Sequence, residues 1–441
     1  MQDEQLAASA LRKISRRFVP LLFTCFVAAW LDRVNVGFAA LNMNQDIHLS
    51  STAFGIGAGI FFLTYFLLEL PSNILLERVG ARRWIARIML SWGLISGAMV
   101  FVQGEKSFYA LRLLLGAAEA GFVPGVMFFL SIWVPSAARG RIIAGFLVAM
   151  PVASVIGSPI SGLLMQLDGI YGLHGWQWMF LIEALPALAL TPILLRTLRD
   201  SPAHAEWLTD AERDWLTRRL AADAVHAPAT HDRALKQLFL NPLALLLGLV
   251  YFGVVGLNYG MSFFLPQIVH GFGLSVVQTS FVTTIPFAVA AIGMTWWGRQ
   301  SDRLGERRFH FLLPLGLALI GLTGSTFVDP PVLKLALLCV AAFGVFSVLP
   351  IFWTLPTALL PVGSVAAGVA IVNSVGNLSG FVNSYAMGAI KDMTGSFAGG
   401  LQLITAFGVL ALVLSLLITR NTTWARKRRT LPDEVKESAS T

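Results

Sequence analysis

The sequence comprises 441 residues, of which 56% are hydrophobic and 13% are charged, and its mean hydropathy is +0.71. These values lie well outside the range of soluble globular domains, so water is not the main solvent of this chain. The formal net charge of +8 would indicate a nucleic-acid partner only if the basic residues formed a patch, and their positions, given below, exclude that partner.

Apolar runs of about 20 residues, the length that a helix needs to cross the hydrocarbon core of a bilayer, recur along the chain. Backbone groups find no hydrogen-bond partners in lipid, so runs of this length must be helical. The sequence therefore predicts an all-α polytopic membrane protein with twelve transmembrane helices, numbered below as spans 1 to 12. The predicted spans cover residues 18–41, 53–76, 84–102, 108–134, 142–164, 177–195, 240–265, 277–297, 309–328, 332–359, 365–389 and 397–419.

Basic residues concentrate on one side of the predicted membrane. All but five of the 32 Lys and Arg residues lie in or beside the segment before span 1, the loops after even-numbered spans and the segment after span 12. The exceptions are Lys106, Lys334 and Lys391 on the other side, and Arg33 and Arg112 within spans. We therefore expect a multi-pass protein of the inner (plasma) membrane with both termini in the cytoplasm.

The sequence contains no pattern typical of a metal, cofactor or nucleotide site. Its seven histidines show no i, i+4 pairing, and its two cysteines, Cys25 and Cys339, lie in predicted spans of different halves. A G-x-x-x-x-G-K-[ST] loop is absent, which argues against an ATP-driven pump. We expect no cofactor, no metal ion and no ATP, and membrane lipid as the surroundings.

A charged, Ala-rich segment interrupts the apolar pattern between spans 6 and 7. It covers residues 196–238, and the stretch 206–220 within it is typical of a short surface helix that begins after Thr209 and Asp210. The sequence thus predicts an N-terminal six-helix bundle over 1–195, a cytoplasmic linker over 196–238, and a C-terminal six-helix bundle with a basic cytoplasmic tail over 239–441.

The two halves resemble one another in the loop that follows the second span of each. The loop after span 8 reads G-x-x-x-D-R-x-G-x-R-R, and the loop after span 2 repeats it with Asn73 and Glu77 at the first Gly and the Asp. Duplicated bundles around a central site are the architecture of many secondary transporters. We interpret the following residues as gating-loop residues: Glu77, Arg78, Gly80, Arg82, Arg83, Gly298, Asp302, Arg303, Gly305, Arg307 and Arg308.

This loop resembles the signature loop of the major facilitator superfamily. Within it, the chain is similar to the anion:cation symporter family of phthalate, tartrate, hydroxyphenylacetate and sugar-acid permeases and sialin-like transporters. The resemblance implies two bundles that rock about a midplane site and carry a small organic anion together with protons. The matching stretches are LDRVNVGFA at 31–39, LELPSNILLERVGARRW at 68–84, RLLLGAAEAGFVPG at 112–125, GWQWMFLIEALPA at 175–187, FFLPQIV at 263–269 and NSVGNLSGF at 373–381.

Two pairs of charged residues lie deep inside predicted spans, where charges are costly and usually line the path of a substrate or a proton. Asp32 and Arg33 lie in span 1, and Arg112 and Glu119 share one face of span 4. A guanidinium presents a planar fork to a carboxylate, so we predict that Arg33 and Arg112 bind the substrate. Desolvation favours the protonated form of an acid, so Glu119, and after it Asp32, are predicted to couple protons. The resemblance implies the same roles for the matching positions.

Polar residues in spans 2 and 11 complete the predicted site. Tyr65 lies near the middle of span 2, and Glu69 lies one turn further on the same face. Asn373 and Asn377 form a stripe in span 11, where their amides offer both donors and acceptors. We predict that Tyr65, Asn373 and Asn377 contact the substrate and that Glu69 takes part in proton coupling.

Charge arithmetic links the anion to the proton. With Asp32, Glu69 and Glu119 ionised, three negative charges face the two positive charges of the arginines, and the cluster repels an anion. Protonation of two of the acids leaves one net positive charge, and a monoanion can then bind. By reciprocity, the bound anion favours the protonated state. The pattern therefore predicts proton-coupled symport of a small organic carboxylate.

Other interpretations remain open at this point. The intramembrane charges could form static ion pairs, Glu69 could bond a helix end, and the asparagines could only join helices. Within transport, the alternative is efflux of amphipathic compounds by proton antiport. A membrane enzyme would require a nucleophile–base pair, and the sequence shows none. The carboxylate itself, aromatic or polyhydroxylated, is not determined.

Overall fold

A computed structural model of the chain describes residues 2–225, 242–360 and 365–420. Within these ranges the chain forms twelve helical spans, and eleven of the helices are long and apolar enough to cross a membrane. The other, span 11, is as long, at 30 residues, but contains three asparagines. In chain order the spans are Gln2–Val34 continued by Val36–Asp46, Ser51–Val79, Ala81–Ala98, Glu105–Glu119 continued by Phe122–Trp133, Ser136–Leu147 continued by Ala149–Leu164, Gly175–Thr197, Pro242–His270, Val276–Leu304, Arg308–Ser325, Pro331–Phe352 continued by Thr354–Leu359, Val365–Thr394 and Ala398–Thr419.

The second span of each half starts and stops in the same way. Ser50 caps span 2 by accepting a hydrogen bond from the backbone N–H of Ala53, and Ser275 caps span 8 through the N–H of Gln278. Both spans end at a glycine with positive φ, Gly80 at 93° and Gly305 at 63°, a conformation that a side chain would strain. These start and stop residues follow the sequence repeat, so the duplication extends to the local geometry of the loops.

The linker defines one side of the molecule, which we call the linker side. Its helix, Asp210–Val225, packs against the start of span 1, where Glu212 accepts hydrogen bonds from Lys13 Nζ at 2.7 Å and from Ser9 Oγ at 2.6 Å. Thr209 and Glu212 form a capping box that starts this helix at Asp210, next to the start expected from the sequence, and the helix continues to Val225, beyond the predicted end at residue 220. Residues 226–238 of the predicted linker lie outside the described residues.

We expect Glu212→Gln to destabilise this docking by about 1 kcal/mol, the upper range for a partly exposed ion pair. Burial alone would raise the pKa of Glu212, but the hydrogen bonds from Lys13, Ser9 and the Thr209 backbone outweigh it and hold this pKa at about 2. Because the pKa is lowered on folding, the stabilisation is complete at neutral pH and is lost as the pH falls toward 2. Thermal unfolding in detergent at neutral and at acidic pH measures it. Glu206→Gln, at an exposed linker position, is the control, and an equal loss in both variants would contradict the assignment.

The two halves pack closely on the side opposite the linker. Asp392, near the end of span 11, accepts hydrogen bonds at the start of span 2 from the backbone N–H groups of Ser51 at 3.0 Å and Thr52 at 2.7 Å. A Cβ on Gly55 of span 2 would lie 2.2 Å from the Ser384 carbonyl oxygen, so these helices touch backbone to backbone. Spans 1 and 7 approach one another similarly at Gly37. The structure is thus closed on this side, and the central residues lie between the halves.

Spans 1 and 4, which carry the charged site residues, differ from their predicted form. Span 1 begins at Gln2 and not at residue 18, because Ala10 and Ile14 give the polar stretch a buried face next to the linker helix. Span 4 was predicted as one continuous helix over 108–134, but it breaks after Glu119. Gly121 adopts a left-handed conformation there with φ 87°, and the Ser72 hydroxyl donates to the Ala120 carbonyl at 2.7 Å.

Candidate functional site

Arg33 lies at the junction of the two halves and contacts both of them. Its guanidinium forms a buried salt bridge with Glu119 of span 4. On the other side, its Nη1 donates to the hydroxyl of Tyr259 in span 7 at 3.3 Å, and that hydroxyl donates to Asn377 Oδ1 in span 11 at 3.3 Å. A continuous polar chain from Glu119 to Asn377 therefore crosses the centre of the molecule, and we call these four residues the central cluster.

Aromatic rings surround the Arg33 guanidinium. Its carbon lies 5.8 Å from the ring centre of Trp30, 5.2 Å from that of Phe61 and 5.3 Å from that of Tyr65, within the range of cation–π attraction. Phe62 packs on Tyr259 with 4.4 Å between ring centres. The cluster thus has a buried, aromatic surround in which its charges are weakly screened, and Tyr65, whose contact with substrate stays a prediction, is part of that surround.

Asp32 points away from Arg33 and toward span 3. Its two carboxylate oxygens accept hydrogen bonds from the indole N–H of Trp92 and the hydroxyl of Ser96, and its side chain is buried. Adjacent residues on a helix differ in direction by about 100°, so the two groups belong to different environments. Asp32 therefore lies beside the central cluster as a second acid that the arginine does not neutralise directly.

Arg112 is held by the backbone of span 2. Its Nε and Nη2 each donate to a carbonyl oxygen at 3.1 Å, on Gly57 and Ala58 respectively, and it is 1% exposed. One turn away, a Cβ on Gly116 would lie 2.1 Å from the Phe61 carbonyl oxygen, so spans 2 and 4 are in backbone contact here. In this conformation Arg112 joins two helices, and its predicted contact with substrate stays a prediction.

Glu69 and Asn373 meet across the two halves nearer the linker side. The Asn373 Nδ2 donates to Glu69 Oε1 at 3.0 Å, and Glu69 is 9% exposed. The sequence predicted both residues as site residues but placed them in separate roles. The structure joins them in one contact between spans 2 and 11.

The gating-loop residues lie together at the linker-side ends of spans 2, 3, 8 and 9. In the second half, Arg307 forms a salt bridge with Asp302 at 2.6 Å and donates to Ser301 Oγ at 2.9 Å. In the first half, the Arg82 backbone donates to Asp200 at 2.8 Å and its side chain donates to the Leu195 carbonyl. The other predicted members occupy the ends of these helices: Glu77, Arg78, Gly80, Arg83, Gly298, Arg303, Gly305 and Arg308.

Tyr259 is the member of the central cluster that the sequence analysis missed. It follows Asn258 in the middle of an apolar 29-residue helix, and two adjacent polar residues there were the available signal. Trp92 and Ser96, which bind Asp32, were also missed, because an indole and one hydroxyl are ordinary components of a transmembrane helix. Their roles require the contact across spans 1 and 3.

Comparison with known proteins identifies the family. The sequence profile described as Major Facilitator Superfamily matches residues 21–384. The chain is 46% identical over 426 residues to a protein of Agrobacterium vitis whose name assigns it tartrate transport, covering 96% of this chain and 94% of that protein. It is 41% identical to the quinolone resistance transporter of Acinetobacter baumannii, covering 92% and 94%, and 36% identical to the inner membrane transport protein RhmT of Escherichia coli K12, covering 96% and 98%.

Solved structures share the fold. A bacterial homologue of the human lysosomal transporter Spinster superposes with a TM-score of 0.71 at 18% identity, covering 92% of this chain and 97% of that one. The xylose transporter of Escherichia coli gives a TM-score of 0.73 at 13% identity, covering 92% and 98%. The predicted fold class, two bundles of six transmembrane helices, is confirmed, and the predicted resemblance to the anion:cation symporter branch is supported by the relatives. The chain therefore belongs to the major facilitator superfamily, a family of multi-pass membrane transporters and not of enzymes.

Proposed function

We propose that the chain carries a small organic carboxylate into the cell in symport with protons, by alternating access across the inner membrane. In this proposal both termini and the linker lie in the cytoplasm, as the distribution of basic residues indicates. The relative named for tartrate transport supports an organic anion as substrate. The observation that carries the proposal is the buried Arg33, whose only ion-pair partner among the described residues is the carboxylate of Glu119.

The Arg33–Glu119 pair provides a means to couple an anion to a proton. A substrate carboxylate needs the guanidinium fork that Glu119 now occupies. When Glu119 takes up a proton, it no longer neutralises Arg33, and a buried, unpaired guanidinium then favours an incoming anion. Anion binding and protonation of Glu119 therefore support one another, as linkage requires.

Contacts between the halves provide the conformational step. Arg33 belongs to the first half, and it reaches Asn377 of the second half through Tyr259. A substrate that binds Arg33 from between the halves either replaces the hydrogen bond from Arg33 to Tyr259 or binds beside it. In both cases its binding changes contacts in both bundles. The bonds from Asp392 to span 2 and from Asn373 to Glu69 also join spans 2 and 11, and they must break and re-form as the halves rock. We assign Asp32 and Glu69 supporting roles in proton coupling.

Uptake into proteoliposomes tests the proposal. The purified protein is reconstituted, an inward proton gradient is imposed, and a panel of radiolabelled aromatic acids, hydroxydicarboxylates and sugar acids is added. We expect at least one acid to accumulate above its external concentration and to leave again when a protonophore removes the gradient. Accumulation that persists with the protonophore, or that requires sodium, would contradict proton symport.

Efflux of amphipathic compounds by proton antiport is the second candidate. It is favoured by the relative named a quinolone resistance transporter and by the rings of Trp30, Phe61 and Tyr65 around Arg33, which suit a flat aromatic molecule. The same vesicles distinguish the two. Under an inward proton gradient symport loads the vesicles with acid, whereas antiport expels a preloaded quinolone and loads no acid.

We expect Tyr259→Phe to weaken substrate binding about tenfold, because it removes the hydroxyl that joins Arg33 to Asn377 while it keeps the ring. A hydrogen bond to a charged group contributes about 1.5–3 kcal/mol. The KM for uptake measures the effect. Tyr385→Phe, at a half-exposed position of span 11, is the matched control, and the same KM in both variants would remove Tyr259 from the site.

A further inference from the structure

Glu183, in span 6, is a buried acid outside the central cluster. Glu183 is 4% exposed, and one of its carboxylate oxygens accepts a hydrogen bond from the Ser161 hydroxyl of span 5 at 2.7 Å. The other oxygen, Oε2, makes no hydrogen bond. Glu119 is neutralised by Arg33, but no basic side chain in the described part of the chain forms an ion pair with Glu183. Half of its hydrogen-bonding capacity is thus unused in a buried position.

Asn35 faces this carboxylate from span 1. It is 1% exposed, and neither its amide oxygen nor its amide nitrogen makes a hydrogen bond of standard geometry, although the side chain lies close enough to Glu183 to interact with its carboxylate. A buried amide without partners is costly, because nothing replaces the hydrogen bonds that it made with water. Two unsatisfied polar groups of complementary chemistry therefore lie side by side, two residues beyond Arg33 in the sequence.

A narrow cavity opens beside them at the junction of the halves. Asn35, Ser158 and Ser161 line it from the first half, and Ser262 and Phe287 line it from the second. The Ser262 hydroxyl is buried and also makes no hydrogen bond. The open space has room for about one water molecule, which would contact Asn35 and Ser161, and it is too small for an organic anion.

The cavity is connected to the central cluster through Trp30. The Trp30 indole N–H donates to the hydroxyl of Ser154, another lining residue, at 3.2 Å, and the Trp30 ring stacks on Tyr259 with 6.1 Å between centres.

The charged group that acts electrostatically on Glu183 is Asp32 of span 1. The Ser161 hydroxyl of span 5 contacts Glu183 itself. Trp92 and Ser96 of span 3 form hydrogen bonds with Asp32 and not with Glu183.

One proton would join the free oxygen of Glu183 to the free amide oxygen of Asn35. An ionised carboxylate buried without a cation is strongly disfavoured, and such groups neutralise instead. A protonated Glu183 carries one O–H donor, and the free amide oxygen of Asn35 is an acceptor for it. We propose that Glu183, Asn35 and Ser161 form a second proton-binding site, separate from the Arg33–Glu119 pair. As a step in transport, this rests on the proton coupling proposed above.

The position of the site gives it a role in the cycle. The cavity beside it has walls from both halves, so rocking of the halves would change the access of water to Asn35 and Ser161, which lie between the cavity and Glu183 in this site. Protonation would therefore be permitted in one arrangement of the halves and blocked in the other. The Glu183 site adds a proton whose binding does not require the substrate carboxylate, whereas the Arg33–Glu119 pair exchanges its proton against the substrate.

Infrared difference spectroscopy during a pH titration of the full-length protein in lipid nanodiscs tests the site without substrate or transport. We expect a carbonyl stretching band of a protonated carboxyl at neutral pH in the wild type. Glu183→Gln removes this band, and Asn35→Ala shifts it to higher frequency, because its acceptor is lost. Glu119→Gln is the matched control and leaves the band in place. A spectrum of Glu183→Gln identical to the wild type would overturn the proposal.

Two further measurements keep the proposal testable if Glu183→Gln does not fold. Ser161→Ala removes the donor that stabilises the ionised carboxylate, so the band should persist to higher pH, and an unchanged titration would overturn the assignment. Thermal stability is also compared in sodium and in choline chloride. Stabilisation of the wild type by sodium alone, lost in Ser161→Ala, would show a sodium site instead.

The ratio of protons to substrate in proteoliposomes tests the transport role separately. We expect this ratio to be lower in Glu183→Gln than in the wild type, with uptake retained. An unchanged ratio, despite loss of the infrared band, would show that the Glu183 proton is not transported. If the wild type moved no protons at all, the proposed function would fail while the infrared result still decided the binding site.

Discussion

Arg33→Lys is expected to weaken the binding of the transported anion about a hundredfold, which corresponds to about 2.7 kcal/mol. Lysine keeps the positive charge beside Glu119, so the buried pair is not left uncompensated. It loses the planar fork that can hold a carboxylate through two parallel hydrogen bonds and reach Tyr259 at the same time. The KM for uptake in proteoliposomes and equilibrium binding of radiolabelled acid both measure the loss.

Arg112→Lys is the informative comparison for this prediction. The Arg112 donors bond the carbonyls of Gly57 and Ala58, so the same substitution there should reduce the yield of folded protein, whereas a higher KM of the folded fraction would follow only from the predicted contact of Arg112 with the anion. Arg299→Lys, on the exposed linker-side end of span 8, controls for the loss of a guanidinium in general. If Arg112→Lys raised the KM as much as Arg33→Lys, the anion would contact both arginines, and the structural role given to Arg112 would be wrong.

Glu119→Gln is expected to abolish proton-driven accumulation while exchange of internal for external substrate continues. The amide resembles a permanently protonated carboxyl, so Arg33 stays available to the anion, but no proton is bound or released there. In the wild type, we expect binding to weaken as the pH rises, because ionised Glu119 then competes for Arg33. In the variant this dependence on pH should be lost.

Counterflow and driven uptake are measured in the same vesicles at several pH values. Glu105→Gln, at the exposed start of span 4, is the control and should behave as the wild type in both assays. Driven accumulation by Glu119→Gln with an unchanged dependence on pH would show that another acid couples the proton. Asp32 would then be the first residue to substitute, since it lies buried beside the cluster without an arginine partner.

Most of the fold could be predicted from hydropathy, because lipid permits few alternatives to a helix. The predicted helix bounds are wrong where contacts between helices determine the backbone conformation. The polar start of span 1 is helical because Ala10 and Ile14 pack toward the linker helix, a contact that no local pattern contains. The break after Glu119 depends on the hydrogen bond between Ser72 and the Ala120 carbonyl, which joins residues from two spans.

The site could be predicted only in part, for a different physical reason. Because burying a charge in a membrane is costly, Arg33 and Glu119 could be predicted as functional residues from the sequence. That cost does not predict which residues form salt bridges or hydrogen bonds with one another. The neighbours that decide this, Tyr259 and Trp92, are amphipathic rings that hydropathy treats as ordinary membrane residues. Arg112 shows the reverse case, in which a buried charge bonds backbone carbonyls. Which partner a buried group finds depends on contacts between spans, and the sequence alone does not contain them.

The measurement that tests the account most directly is the number of protons taken up when the anion binds. Purified protein in weakly buffered solution is mixed with a transported acid, and the change in pH is followed with an indicator dye. The account predicts net proton uptake by the wild type on binding, and little or none by Glu119→Gln, which still binds the acid. Binding without proton uptake in the wild type, or equal uptake in both proteins, would contradict the claim that the anion replaces Glu119 on Arg33.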